Sequence, residues 1–185
     1  MKFLVKLLIT TIIIVISYYL VNKFQIYLLT GIKAQSSENL FASYIYLPHG
    51  IRIIVTYVFG LHAFLGLLIA HVITGLESLY QIKLFVIVAS FFSALSPLIA
   101  TYLVFKKFNL NLKDIKLLSI IQTAVISAIL NSFFSVAIRF FFGFYKSGEI
   151  FSSQFLQFLI GDILGVLFLF LILILFLNLK KILIK

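Results

Sequence analysis

The chain has no cysteine and only five acidic residues among its 185 positions. Without cysteine there are no disulfides, thiolate nucleophiles or iron–sulfur ligands, and three histidines are left as the only good transition-metal ligands. His49, His62 and His71 form no His-Glu-x-x-His pattern, so neither a metal nor a cofactor is expected. The shortage of acid constrains catalysis in the same way. There is no nucleophile-plus-base constellation and no glycine-rich phosphate loop, and a single intramembrane aspartate is half of an aspartyl dyad. Glu77, near a helix end, is poorly placed to complete that dyad, so the chain is not expected to be an enzyme.

What is abundant is apolar surface. Hydrophobic side chains make up 63% of the sequence, charged ones 11%, and the mean hydropathy is +1.23. No water-soluble core of this size hides that much apolar area, so the chain must face a lipid bilayer. The formal charge of +10 lies in short juxtamembrane lysine clusters and not in an aromatic-interleaved patch. Membrane topology and anionic lipid account for it, and no nucleic-acid partner is expected.

The apolar runs predict an all-α, polytopic integral membrane bundle with about six transmembrane segments, or five. Residues 1–21 read as a retained signal-anchor helix, because the run Leu7 to Val21 follows Lys2 and Lys6 and no small-x-small cleavage site follows closely. Residues 22–43 read as a polar loop and 44–178 as the helical core. Within that core, Tyr44 to Leu76 is interrupted at Pro48-His49-Gly50 and at Gly60-Leu61-His62, which fits two short tilted helices, the favoured reading, or one kinked long one. Further spans are expected at Ile82 to Phe105, with a kink at Pro97, at Leu117 to Phe142 and at Gln157 to Leu177. Lys106, Lys107, Lys113 and Lys116 mark one loop as cytoplasmic, and Lys180, Lys181 and Lys185 mark the C-terminus likewise. Six segments then place the N-terminus inside as well, in agreement with Lys2 and Lys6, whereas five would place those lysines outside. The expected location is the inner (plasma) membrane of a bacterium.

Polar residues inside these spans are the candidate site. Thr123, Ser127, Asn131, Ser135 and Arg139 recur every four residues and drift only about 40° per step, so they form one ribbon on the fifth segment. The serines and threonine can satisfy their own helix carbonyls at helix contacts. An arginine near the bilayer centre costs about 2.5 to 3.5 kcal/mol on insertion scales. Arg139 therefore either faces the interior or snorkels to the headgroups. Its expected counterion is Asp162, with Glu77 second. Gly161 and Gly165 flank Asp162 and allow a neighbouring backbone to approach closely, which shelters the carboxylate or else marks plain helix packing. In the second segment Arg52 shares a face with Thr56 and Gly60, as a pocket residue or a headgroup anchor, and Gly50 loosens the entry. In the third, Ala63, Gly66 and Ala70 have helix-contact spacing, with His71 beside them. The candidate ligand-binding residues are thus Arg52, His71, Asn131, Arg139 and Asp162, and the packing residues are Gly50, Gly66, Ala70, Gly161 and Gly165.

Three stretches, in order, resemble the first-described membrane-associated sensor domain found ahead of bacterial histidine kinases and diguanylate cyclases. Tyr46-Leu47-Pro48-His49-Gly50-Ile51, followed by Phe59-Gly60 and Phe64-Leu65-Gly66, is similar to that family's aromatic-Pro-x-Gly-Ile entry and its Phe-Leu-Gly turn. Gly161-Asp162-Ile163-Leu164-Gly165 is similar to its terminal Gly-Asp-x-Leu-Gly helix, and Ala94 to Phe105 sits where the family has a small-residue helix ending in basic residues. The resemblance covers Tyr44 to Leu177. It implies sensing of an unspecified ligand, in a chain with fewer spans than the family's usual eight or so and no output domain.

The leading expectation is therefore a membrane sensory or ligand-binding module that passes a signal through helix packing to a separate membrane signalling protein. The alternatives are a substrate-binding subunit of a small-solute importer, which would need a transporter partner, and a non-catalytic membrane scaffold.

Overall fold

A computed structural model of the chain describes residues 2–31, 45–79, 83–106, 116–144 and 148–183. It contains six helices: α1 (Lys2–Gly31), α2 (Leu47–Phe59), α3 (His62–Leu79), α4 (Lys83–Phe105), α5 (Leu117–Phe141) and α6 (Gly148–Leu183). Four of them are long and apolar enough to cross a bilayer, through Leu4–Tyr27, Lys83–Phe105, Leu117–Phe141 and Phe151–Leu175. The other two, Leu47–Phe59 and His62–Glu77, are shorter apolar helices. The architecture is an all-α bundle of membrane character, and its outer surface carries large apolar side chains such as Leu4, Ile87, Phe133 and Leu171.

Two expected boundaries are corrected. Residues 22–31, placed in a polar loop, continue α1, while 32–43 lie outside the described residues. The reason is tertiary: Gln25 is buried and bonded to another segment, and Lys23, though exposed, pairs with Glu77 of α3 at 2.8 Å, so these polar residues have partners across a helix contact. The last helix begins at Gly148, not near Gln157, so the connection expected between the last two spans is shorter. Pro97 lies within α4, which runs unbroken through it. Of the lysines taken as cytoplasmic markers, Lys107, Lys113 and Lys185 lie outside the described residues.

The helices pack in series, with α1 against α3, α3 against α4, α4 against α5 and α5 against α6, and α2 contacts all five of the others. Its position explains its composition. Leu47, Pro48, His49, Gly50, Arg52, Ile53, Val55, Thr56 and Tyr57 are all buried, so α2 is apolar or internally bonded on nearly every side. It ends at Gly60, whose φ of 57° favours glycine, and the chain turns there into α3.

The start of α2 forms a close joint with both α1 and α6. The Tyr46 amide donates to the Gly161 carbonyl of α6 at 2.8 Å, and the Leu47 amide donates to Gln25 Oε1 of α1 at 2.8 Å. Gln25 Nε2 in turn donates to the Ile45 carbonyl at 3.0 Å. Pro48 has no amide hydrogen to satisfy, and the His49 amide donates to the Tyr46 carbonyl at 3.1 Å. Every backbone donor of this entry is thus met inside the protein, as a helix start within an apolar bundle requires. The glycines make the approach possible. A Cβ on Gly165 would strike the backbone of Tyr46, and one on Gly50 would lie 2.8 Å from Leu169 and 3.3 Å from the Gly165 carbonyl. On the opposite side, Gly66 of α3 lies against Ile14 of α1, and buried Ala70 joins the same cluster with Ile14 and Tyr18.

Candidate functional site

Asp162 lies on α6 beside this joint and is 1% exposed. Asn131 of α5 donates to its Oδ2 at 2.6 Å, and Ser93 of α4 donates to Asn131 Oδ1 at 2.9 Å, so one amide links three helices. A buried carboxylate needs such a donor, because the charge-assisted hydrogen bond offsets part of its lost hydration. His49 Nδ1 stands 3.5 Å from the same Oδ2 and 3.3 Å from Arg52 Nη1. A guanidinium only donates, so Nδ1 accepts from Arg52 and the ring proton resides on Nε2. His49 therefore lies between the aspartate and the arginine without ion-pairing to either.

Arg52 is 2% exposed. Its Nη2 donates to the hydroxyls of Tyr18 at 3.3 Å and Tyr46 at 3.4 Å, and its guanidinium carbon lies 5.3 Å from the Tyr46 ring centroid and 5.8 Å from that of Tyr18. Two aromatic faces and two hydroxyls hold the cation in place of water. The Tyr18 hydroxyl also lies 3.1 Å from that of Tyr46 and 3.2 Å from His71 Nδ1. This cluster joins α1, α3, the α2 entry and α2 itself around one charge.

The two clusters share a cavity of about 520 Å³, within the roughly 300 to 1,000 Å³ usual for small-molecule sites. Arg52, His71, Asn131 and Asp162 line its interior, with Tyr18 and Ser93 between them. Arg139, Lys23 and Glu77 also line it, and the last two are exposed, so the cavity opens beside their ion pair. All five candidate ligand-binding residues therefore border one space.

The expected pairing of Asp162 with Arg139 is corrected. Helices α5 and α6 run antiparallel, and with Asn131 opposite Asp162 the register carries Arg139, two turns further along α5, toward Phe158. Its guanidinium carbon lies 4.7 Å from the Phe158 ring centroid, and its Nη1 donates to the Ser135 carbonyl at 3.1 Å. Glu77, the second expected counterion, pairs with Lys23 and accepts from the Tyr19 hydroxyl at 3.1 Å. Arg52 is not a headgroup anchor but the most enclosed cation among the described side chains. Along the α5 ribbon, Thr123 donates to the Ser119 carbonyl at 2.9 Å, a helix-contact role, whereas buried Ser127 has no hydrogen-bond partner. Among the described residues no His, Cys, Asp and Glu group has the arrangement of a metal site.

Sequence reasoning missed Tyr18, Tyr46, His49, Ser93 and Gln25 as parts of the site. Tyr18, Asn22 and Gln25 recur at helical spacing, a polar stripe that marks an inward face once residues 22–31 are read as helix. His49 sits inside the Pro-His-Gly stretch, which in the sequence marks a helix break and a motif position but not a pocket residue.

No family model, no curated protein and no solved structure matches this chain.

Proposed function

We propose that this protein is an integral membrane ligand-binding module whose cavity admits a small polar solute and whose occupancy is passed to a partner in the membrane. The observation that supports it is the cavity of about 520 Å³ bordered by a buried aspartate, a buried arginine and a histidine brought together from separate helices. Packing alone does not call for a hollow bordered by so many costly groups, since each is expensive to bury and apolar residues would fill the space more cheaply. The resemblance to the membrane-associated sensor domain points the same way. Its two most distinctive stretches, around Tyr46 and Gly161, meet in a direct backbone hydrogen bond beside the cavity. A ligand seated there would bear on the α1, α2 and α6 joint and shift helix packing, which suits sensing.

The test is the melting temperature of the purified protein against a panel of anionic, neutral and cationic metabolites, followed by uptake assays in reconstituted vesicles. Stabilisation by at least one compound, weakened in Asp162→Asn and without transport of that compound, supports a sensory module. Stabilisation accompanied by ATPase-dependent uptake in the presence of a partner supports the importer reading, and no stabilisation by any compound leaves only a scaffold.

A further inference from the structure

We infer that the ligand is a small oxyanion, a carboxylate or phosphate group, received by Arg52 and His71; this rests on the binding reading above and narrows it to a chemical class. The first argument is charge. The Arg52 guanidinium is a permanent cation, almost wholly enclosed, and no carboxylate among the described side chains is in ion-pair contact with it, Glu77 being paired with Lys23 and Asp162 standing against neutral His49. Its neighbours are two tyrosine hydroxyls and a histidine nitrogen, which solvate the charge without neutralising it. Asp162 acts on this charge only from across His49, so no carboxylate touches the guanidinium itself, and a direct contact with an anion is what remains open to it.

The second argument counts donors. Arg52 Nε and His71 Nε2 are buried and have no hydrogen-bond partner, and both side chains border the cavity. Because arginine only donates, Tyr18 and Tyr46 both accept from it. The Tyr18 proton can go to the Tyr46 hydroxyl or to His71 Nδ1, and the second placement puts the His71 ring proton on Nε2. The charged Arg52 Nε–H, on a side chain that borders the cavity, thus remains without an acceptor, joined in that tautomer by His71 Nε2–H; His49 Nε2 is likewise unpartnered, but His49 is not part of the cavity lining. The carboxylates bordering the same space are already engaged, Asp162 with Asn131 and Glu77 with Lys23. What is missing is an acceptor carrying negative charge, and a planar carboxylate or a phosphate matches a guanidinium edge.

The third argument is the field at the opening. Lys23, Arg52 and Arg139 border the cavity against Glu77 and Asp162, so the balance is positive and its positive groups extend from the mouth to the interior. A cationic or wholly apolar occupant would leave the Arg52 Nε–H without an acceptor.

The experiment uses the whole purified chain in phosphatidylcholine nanodiscs, with thermal unfolding read against benzoate, benzamide and benzylamine, which share a shape and differ in charge, and against acetate and inorganic phosphate. Benzoate or phosphate should raise the melting temperature while benzamide and benzylamine do not. Arg52→Gln should raise the half-maximal anion concentration about tenfold or more, the loss of a charge-assisted bond. Should Arg52→Gln fail to fold, His71→Gln and Arg139→Gln provide the same reading, with a weakening of a few-fold at the cavity mouth. Phosphatidylglycerol discs identify the source of the oxyanion. If they stabilise the protein and abolish the benzoate response, the group is a lipid headgroup phosphate; a benzoate or phosphate response that persists in both lipids marks a soluble acid. Stabilisation by benzamide or benzylamine alone overturns the oxyanion and keeps the binding reading. A full anion response in Arg52→Gln also overturns it, and no response to any compound or lipid defeats both.

Discussion

Asn131 shows how a single side chain decides whether a buried charge is tolerated. Its amide donates to Asp162 and accepts from Ser93, so replacing it removes both bonds while the carboxylate stays enclosed. Asn131→Leu is expected to destabilise the protein by about 2 to 3 kcal/mol, measured by reversible unfolding in mixed micelles, because the aspartate loses its charge-assisted donor without being removed. Ser127→Ala, on the same ribbon, should change stability by less than about 0.5 kcal/mol or raise it, since the Ser127 hydroxyl is buried with no bond to lose. That contrast separates polar residues that hold the site from those that merely share its helix face. The four-residue spacing shows the ribbon in the sequence but not the contrast, because the partners of Asn131 come from two other helices.

At the scale of elements, the joint between α1, the α2 entry and α6 is the feature most open to test. Gly165→Ala places a methyl group against the Tyr46 backbone, which has no rotamer through which to yield. The expected cost is about 2 kcal/mol or more, with loss of any ligand-induced stabilisation, whereas Leu164→Ala on the half-exposed flank should cost under about 1 kcal/mol by the same unfolding assay. Gln25→Leu should cost about 1 to 3 kcal/mol, since it leaves the Leu47 amide and the Ile45 carbonyl without their partner. The glycines at 50, 161 and 165 are legible in sequence as sites of close approach. Gln25 is not, because a glutamine near the end of an apolar run looks like the beginning of a loop until the segment it caps is known.

For the whole molecule, the cavity residues fall toward one end of the bundle. Tyr18 and Lys23 lie in the later part of α1, His71 and Glu77 in the later part of α3, Phe85 and Ser93 in the first half of α4, and Asn131 and Arg139 in the second half of α5. If the lysine-rich connection after α4 is cytoplasmic, as the positive-inside rule proposes, this end faces outward and the cavity opens away from the cytoplasm. The absence of native cysteine makes the orientation simple to measure. Phe144→Cys should react with a membrane-impermeant maleimide in intact cells, and Lys106→Cys only after permeabilisation. The reverse pattern would turn the opening toward the cytoplasm and place any sensed solute there.

The sequence by itself determined the solvent, the helical class and the candidate polar residues, because hydropathy, helical spacing and the energetic penalty on a charge in lipid are local properties that composition and pattern record. Only the tertiary structure decided that Asp162 faces Asn131 and His49 while Arg139 lies over Phe158, that Arg52 is held by two tyrosines, and that α1 continues through its polar residues. Those outcomes depend on the register and adjacency of helices far apart in the chain. A buried polar group is satisfied by whatever donor packing brings within about 3 Å, and no spacing along one helix specifies which donor on another that will be.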